Sequence, residues 1–154
     1  MNRSSTVRLV PAELRHVGRI ANRLRAIDRE ECEAMGRTPK QALRLGILTS
    51  EKAWTALVDG KPEAMFGVVV ESALTSEAVP WFLGTDEVYR HGRELLAWGP
   101  GIVSRLGDSL SLRNLVSSRN NRAIRLLKRW GFTVGEEEVD VRGVGFRHFE
   151  KVPA

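Results

Sequence analysis

Along the chain the spacing of apolar positions changes several times, and each change marks an element. Thr6 to Val10 predicts a first strand, and Pro11 is placed to begin a helix, where its missing N–H costs little. Leu14, Val17, Ile20 or Ala21, Leu24 and Ile27 then recur at helical spacing, and the segment from Asp28 to Met35 continues polar and helical as far as Gly36. Arg15, Arg19 and Arg23 fall four apart on another face, read as a solvated face first and a phosphate-facing stripe as the alternative. Thr38-Pro39-Lys40-Gln41 has the form of a capping box with proline in the first helical position, and Ala42, Leu43, Leu45, Ile47 and Leu48 follow it.

From Ala53 the period shortens. Ala53–Val58 and Pro62–Glu71, joined by Asp59-Gly60, predict two strands and a tight turn. Met65, Phe66, Val68, Val69 and Val70 form a nearly continuous apolar run, as a central strand covered on both faces requires. After a polar break, Val79–Thr85 predicts the next strand with Pro80 at its start, where the lost hydrogen bond is tolerable. Asp86 to Leu106 is helical, and Gly99-Pro100-Gly101 predicts a kink there or two shorter helices. Leu112–Val116 predicts a strand and Asn120–Trp130 a helix, with Ala123, Ile124, Leu127 and Trp130 on one side and Gly131 as its stop. Phe132–Val141 and Val144–Val152 close the chain as an antiparallel pair around Arg142-Gly143. Strands alternating with helices define an α/β chain, expected to be one domain over residues 1–154.

Composition narrows this reading. A chain of 154 residues with 42% hydrophobic content can bury a core without cross-links. The lone Cys32 offers no intramolecular disulfide, and neither paired cysteines nor a His-x-x-x-His spacing suggests a metal site. Met1–Thr6 lacks the apolar core of a signal peptide and no run approaches membrane-spanning length, so a soluble protein of a reducing compartment is expected. A net charge of +5 permits contact with something acidic. Arg119, Arg122, Arg125, Lys128 and Arg129 put five cations on one helix, which without interleaved aromatics supports non-specific phosphate contact at most.

The strand-to-helix unit carries the most information. Asn120, Ala123, Leu126, Gly131 and Phe132 stand as in the end of the core of the GCN5-related N-acetyltransferase (GNAT) superfamily, which this stretch resembles. The resemblance implies a central mixed sheet with helices on both faces, and two helices between the first strands that shape the acceptor side. It also implies acetyl-CoA as donor, but the residues depart from the pattern. Many active members carry a Tyr that protonates the leaving thiolate where this chain has Leu127, and leucine has no proton to give. The family's diphosphate loop, Gln/Arg-x-x-Gly-x-Gly/Ala, aligns with Glu87, Arg90 and Gly92, of which only Gly92 is retained. If acetyl-CoA is bound, Arg90, His91, Gly92, Arg93 and Asn120 are the expected contacts, with charge replacing backbone amides.

No catalytic residue is assigned. Glu71 and Asp86 could face the cleft but read as ordinary strand-end or capping carboxylates, and Tyr89 falls at the wrong end for the family acid. His16, His91, His148 and Cys32 lack the partner pattern of nucleophilic catalysis.

A narrower resemblance spans roughly residues 53–140. Trp81-Phe82-x-x-Thr85-Asp86-x-Val88, followed by the Asn120–Phe132 helix, is similar to the GNAT-like internal virion proteins of short-tailed bacteriophages. It implies a non-catalytic virion or morphogenesis component in the host cytoplasm or virion interior, without a cofactor, acting through phage structural proteins or DNA. The alternative is an acetyl-CoA-dependent N-acetyltransferase of unknown acceptor. Trp81 and Phe82 themselves read as core residues on alternate faces of a strand.

Overall fold

A computed structural model describes residues 6–153. The first strand, β1 (Val7–Pro11), leads through a 3-10 turn at Leu14–His16 into α1 (Val17–Asn22), α2 (Ala26–Ala34) and α3 (Pro39–Thr49). Next come β2 (Lys52–Val58), β3 (Lys61–Ser72), β4 (Glu77–Gly84), α4 (Asp86–Arg90) and α5 (Gly92–Gly107). The chain closes with β5 (Ser111–Ser117), α6 (Asn121–Arg129), β6 (Thr133–Val134), β7 (Val139–Val141) and β8 (Val144–Lys151). The strands form one mixed sheet ordered β1-β2-β3-β4-β5-β8-β6, with β7 also on β8, and β4/β5 is its parallel pair.

Local chemistry explains the well-defined boundaries. Asp59 and Gly60 both take positive φ, 50° and 81°, the geometry that lets a two-residue turn match the twist of β2 and β3. Thr38 accepts from the Gln41 N–H at 3.2 Å while Gln41 Oε1 accepts from the Thr38 N–H at 2.9 Å, so the capping box forms as its residues require. Asn120 caps α6 through Oδ1, which accepts from the Ala123 N–H.

Two cores lie on opposite faces of β3, because successive strand residues point opposite ways. Met65 joins Ile20, Leu43 and the other buried residues of α1–α3, while Phe66 joins Ile102, Leu106 and Ile124 of α5 and α6.

The structure departs from five expectations. Pro11 ends β1, paired with Trp54, instead of beginning a helix. The first helical run breaks after Asn22: Leu24 pairs with Thr85, Arg25 is extended, and the Arg25 N–H donates to the Gly84 carbonyl. Leu24 is still buried, which is why its spacing looked helical. Of the two outcomes expected at Pro100, two shorter helices do not occur there: α5 continues through Pro100, and the helical run is interrupted at His91 instead. Pro100 is exposed, and so is Leu96, the residue whose carbonyl loses its intrahelical partner. Gly99 faces Trp130 closely enough that a Cβ would overlap the indole. The predicted strand from Phe132 to Val141 is two short strands separated by Gly135–Glu138, where three consecutive exposed glutamates favour solvent. Finally, Pro80 is not at the start of β4 but inside it.

Candidate functional site

Pro80 marks the place where the sheet opens. β4 and β5 are paired at Glu77–Ser111 and Ala78–Leu112 only, and beyond these residues the strands diverge. Pro80 has no N–H to offer β5, so it suits the start of the divergence. Asn114 bridges the gap, its Nδ2 donating to the Pro80 carbonyl at 2.7 Å. The pairing register with β3 and this contact put the amide groups of Pro80, Phe82 and Gly84 on the β5 side. The N–H and C=O of Phe82 therefore point into the wedge.

The wedge holds a cavity of about 470 Å³. Leu126 and Leu127 of α6 and Trp130 just past its end line it from one face, Trp81, Leu83, Leu45 and Thr49 from the other, and Glu71 lies at the rim by the end of β3. A cavity of this size, mostly apolar with few polar groups, is ordinary for a small-molecule site.

At the wide end of the wedge, α2 ties the strands together. Asp28 Oδ2 accepts from the Gly84 N–H of β4 at 3.0 Å, and Glu31 Oε1 accepts from the Ser117 N–H of β5 at 3.0 Å. Asn120 Nδ2 donates to the same Glu31 oxygen at 3.1 Å. Arg25 reaches Asp28 and Asn120, each at 3.4 Å, and its guanidinium lies 3.8 Å from the centre of the Tyr89 ring. Arg122 stands 5.2 Å from that ring and donates to the Tyr89 carbonyl. The two cations hold the ring by its faces, a contact worth about 0.5–2 kcal/mol each.

Burial dominates the titration of this cluster. It pushes the Asp28 carboxyl up to about 7, with Glu31 adding to the rise and Arg25 and the Gly84 N–H opposing it. Burial raises Glu31 as well, against hydrogen bonds from Asn120 and Ser117. Burial first, then Asp28 and Glu31, push the Cys32 thiol up to about 12, so it stays protonated and inert. Tyr89 is likewise raised by burial and remains a neutral phenol.

A raised folded-state carboxyl has a definite consequence for stability. Between the ordinary aspartate value near 4 and about 7, the unfolded chain releases the Asp28 proton while the folded chain keeps it, so stability falls as pH rises through this window and levels off above it. The shift corresponds to a loss on the order of 4 kcal/mol at 1.36 kcal/mol per pH unit. Chemical denaturation at pH 4.5 and 7.5 should show Asp28→Asn losing much less stability than the wild type over that interval; parallel losses would refute the assignment.

The expected cofactor contacts are only partly brought together. Arg90 and Arg93 are exposed beside the wide end, but Arg90 pairs with Glu87 at 2.8 Å. His91 lies between Glu87 and Glu94, at 3.7 and 3.9 Å. A Cβ at Gly92 would meet open space, so no close backbone approach there requires glycine. Asn120 is 3% exposed and its side chain is engaged by Ala123, Arg25 and Glu31. Thr85 occupies the cap position of α4, yet its hydroxyl donates to Glu63 instead. Asp86 is exposed in the first turn of α4.

The other candidates are dispersed or differ from their sequence reading. His16 is buried beside Thr55 Oγ1 at 2.8 Å, with its pKa lowered chiefly by burial, and His148 is exposed on β8. Tyr89 lines the cavity itself, edge-on to Phe82. Asp28 and Glu31 escaped the sequence reading, which took their helix as merely polar. Their spacing, three apart with Cys32 beside them, places them on one helix face and was the available signal. On α6, Arg122, Arg125, Lys128 and Arg129 are exposed and Arg119 pairs with Glu30 at 2.6 Å. Among the described residues, no group of acidic, His or Cys side chains could hold a metal, and no helix is long and apolar enough to cross a membrane.

For acetyl-CoA, the fit divides along the ligand. The wedge and the Phe82 amide suit a slender, amide-bearing arm. A diphosphate at this end of the wedge would meet Asp86 and Glu87 in the first turn of α4 and would find the Gly84 N–H already taken by Asp28, so these groups do not fit it.

No sequence-family model matches the chain, nor does any curated protein. Solved structures do. A candidate acetyltransferase of Acinetobacter baylyi ADP1 superposes with a TM-score of 0.69 at 11% identity, over 97% of this chain and 94% of that one. A GNAT-family acetyltransferase from Streptococcus pneumoniae gives 0.61 at 12% identity, over 95% and 99%. RimL, a ribosomal L7/L12 alpha-N-protein acetyltransferase in complex with coenzyme A, gives 0.63 at 11% identity, over 97% and 96%. The chain thus has the GNAT fold, with the splayed strands and the helix opened by Asn120 in their expected order.

Proposed function

We propose that this domain transfers an acyl group from a thioester held in the β4/β5 wedge to an amine entering between α3 and the end of β3. The observation that carries this is the single cavity reaching both faces of the sheet, which lets a donor along β4 and an acceptor from the α3 side meet. The solved neighbours support it through their shared fold. Phe82 supplies an N–H and a C=O to align an amide-bearing arm, and Leu127 and Trp130 keep the thioester region dry. Glu71, exposed at the cavity rim, is the carboxylate placed to accept the proton the amine must lose, directly or through water.

A second reading, a virion or morphogenesis component acting through its surfaces, is favoured by Leu127 and by the acidic first turn of α4. Thiol release from acyl thioesters, measured with polyamine and peptide acceptors, separates the two. Turnover that drops about tenfold or more in Glu71→Gln supports transfer. Absence of both binding and release for every donor removes the transfer reading; a gene lying among head and tail genes, with defective particles in a deletion strain, would then establish the second.

A further inference from the structure

We propose that the donor for this wedge is an acyl thioester on a pantetheine arm ending in at most one phosphate, without the nucleotide diphosphate of coenzyme A. This rests on the transfer reading above and specifies its substrate.

Three observations at the wide end of the wedge converge. First, the strand-end amides are already committed: the Gly84 N–H to Asp28 and the Ser117 N–H to Glu31. Strand-end backbone donors are among the groups an incoming diphosphate could use, and here two carboxylates of the chain occupy both of these. Second, the surrounding charge is wrong for a polyanion. Asp86 and Glu87 stand in the first turn of α4 and Glu94 in the first turn of α5. Third, most local cations are matched by carboxylates. Arg25 meets Asp28 at 3.4 Å, Arg90 meets Glu87 at 2.8 Å and Arg119 meets Glu30 at 2.6 Å. Arg93 and Arg122 remain, and Arg122 already donates to the Tyr89 carbonyl. Two guanidinium groups, one of them already engaged, suit one phosphate, whereas coenzyme A brings a diphosphate and a ribose phosphate.

The remainder of the cavity asks for no charge. Its walls toward β4 and α6 are Trp81, Phe82, Leu126, Leu127 and Trp130, and the Phe82 amide offers one donor and one acceptor to a secondary amide. A pantetheine arm is a chain of this kind, with two amides and aliphatic links. The transfer itself balances without the nucleotide: the amine nitrogen forms a C–N bond to the acyl carbon and the C–S bond breaks. The amine gives one proton to Glu71 or water, and the departing sulfur takes one proton from solvent.

Calorimetry with acetyl-pantetheine, acetyl-4′-phosphopantetheine and acetyl-CoA on the full chain tests the proposal. Acetyl-pantetheine or its phosphate should bind at least as tightly as acetyl-CoA, or within about tenfold of it. Acetyl-CoA binding more than about tenfold tighter than both overturns the proposal and leaves the transfer reading intact. Failure of all three to bind overturns both. Glu87→Gln, at a partly exposed position, should selectively improve acetyl-CoA binding by relieving repulsion, and an unchanged ratio between donors counts against the proposal. A phosphopantetheinylated carrier protein distinguishes the source of the arm: tighter binding than the free phosphate places it on a protein, and equal or weaker binding makes it a free small molecule.

Discussion

Phe66→Ala is expected to destabilise the protein by about 3–5 kcal/mol, the range for removing a fully buried phenylalanine. Phe66 is 1% exposed at the centre of β3 and stacks between Trp54 at 5.4 Å and Phe82 at 5.9 Å. Phe82 in turn meets Tyr89 and Trp130 edge-on, each at 6.3 Å, so the stack runs from β2 to the wedge. Truncation removes apolar contact and leaves a void beside Phe82, the residue whose amide faces the wedge. Urea titration should show an earlier midpoint with an unchanged slope, and ligand affinity should weaken with it. A loss under about 1 kcal/mol would mean the neighbours collapse into the space and the stack is not what holds the wedge floor.

The second large effect is a gain. Leu127→Tyr should raise thiol release from acyl thioesters by about 10²-fold, the low end of what a positioned acid supplies. Leu127 lines the wedge and is only partly buried, so a ring there can extend into the cavity without being forced into the α5–α6 core. Under the proposed transfer, a phenol would give the departing sulfur the proton that must otherwise come from solvent. Leu127→Phe is the control for bulk, since it adds the ring without the hydroxyl. Equal rates for the Tyr and Phe variants would show that proton donation at this position does not limit the reaction.

The two changes act at different levels, which reflects how the site is built. The aromatic stack sets the shape of the wedge through packing, and Leu127 sets what chemistry the shaped space can perform. The α2 carboxylates act at a third level, holding β4, β5 and α6 together at the end where the strands are furthest apart.

What the sequence by itself determined is what depends on residues close along the chain. The Asp59-Gly60 turn, the Thr38–Gln41 capping box, the Asn120 cap and the central run from Met65 to Val70 each follow from backbone freedom, side-chain reach or apolar spacing within a few positions. The Asn120 to Phe132 match pointed to the fold for the same reason. Tertiary structure decided the rest. Leu24 and Arg25 leave the helix because β4 offers them backbone partners sixty residues away, and helical spacing cannot report that competition. Pro100 stays inside α5 on an exposed side of the helix, and which side of α5 is exposed is a tertiary outcome. Asp28 and Glu31 become the clasp of the wedge through partners 56 and 86 positions distant. A carboxylate on a polar helix looks the same in sequence whether it meets water or a strand-end amide; only its burial in the folded chain, which raises its pKa against the pull of that amide, gives it a role.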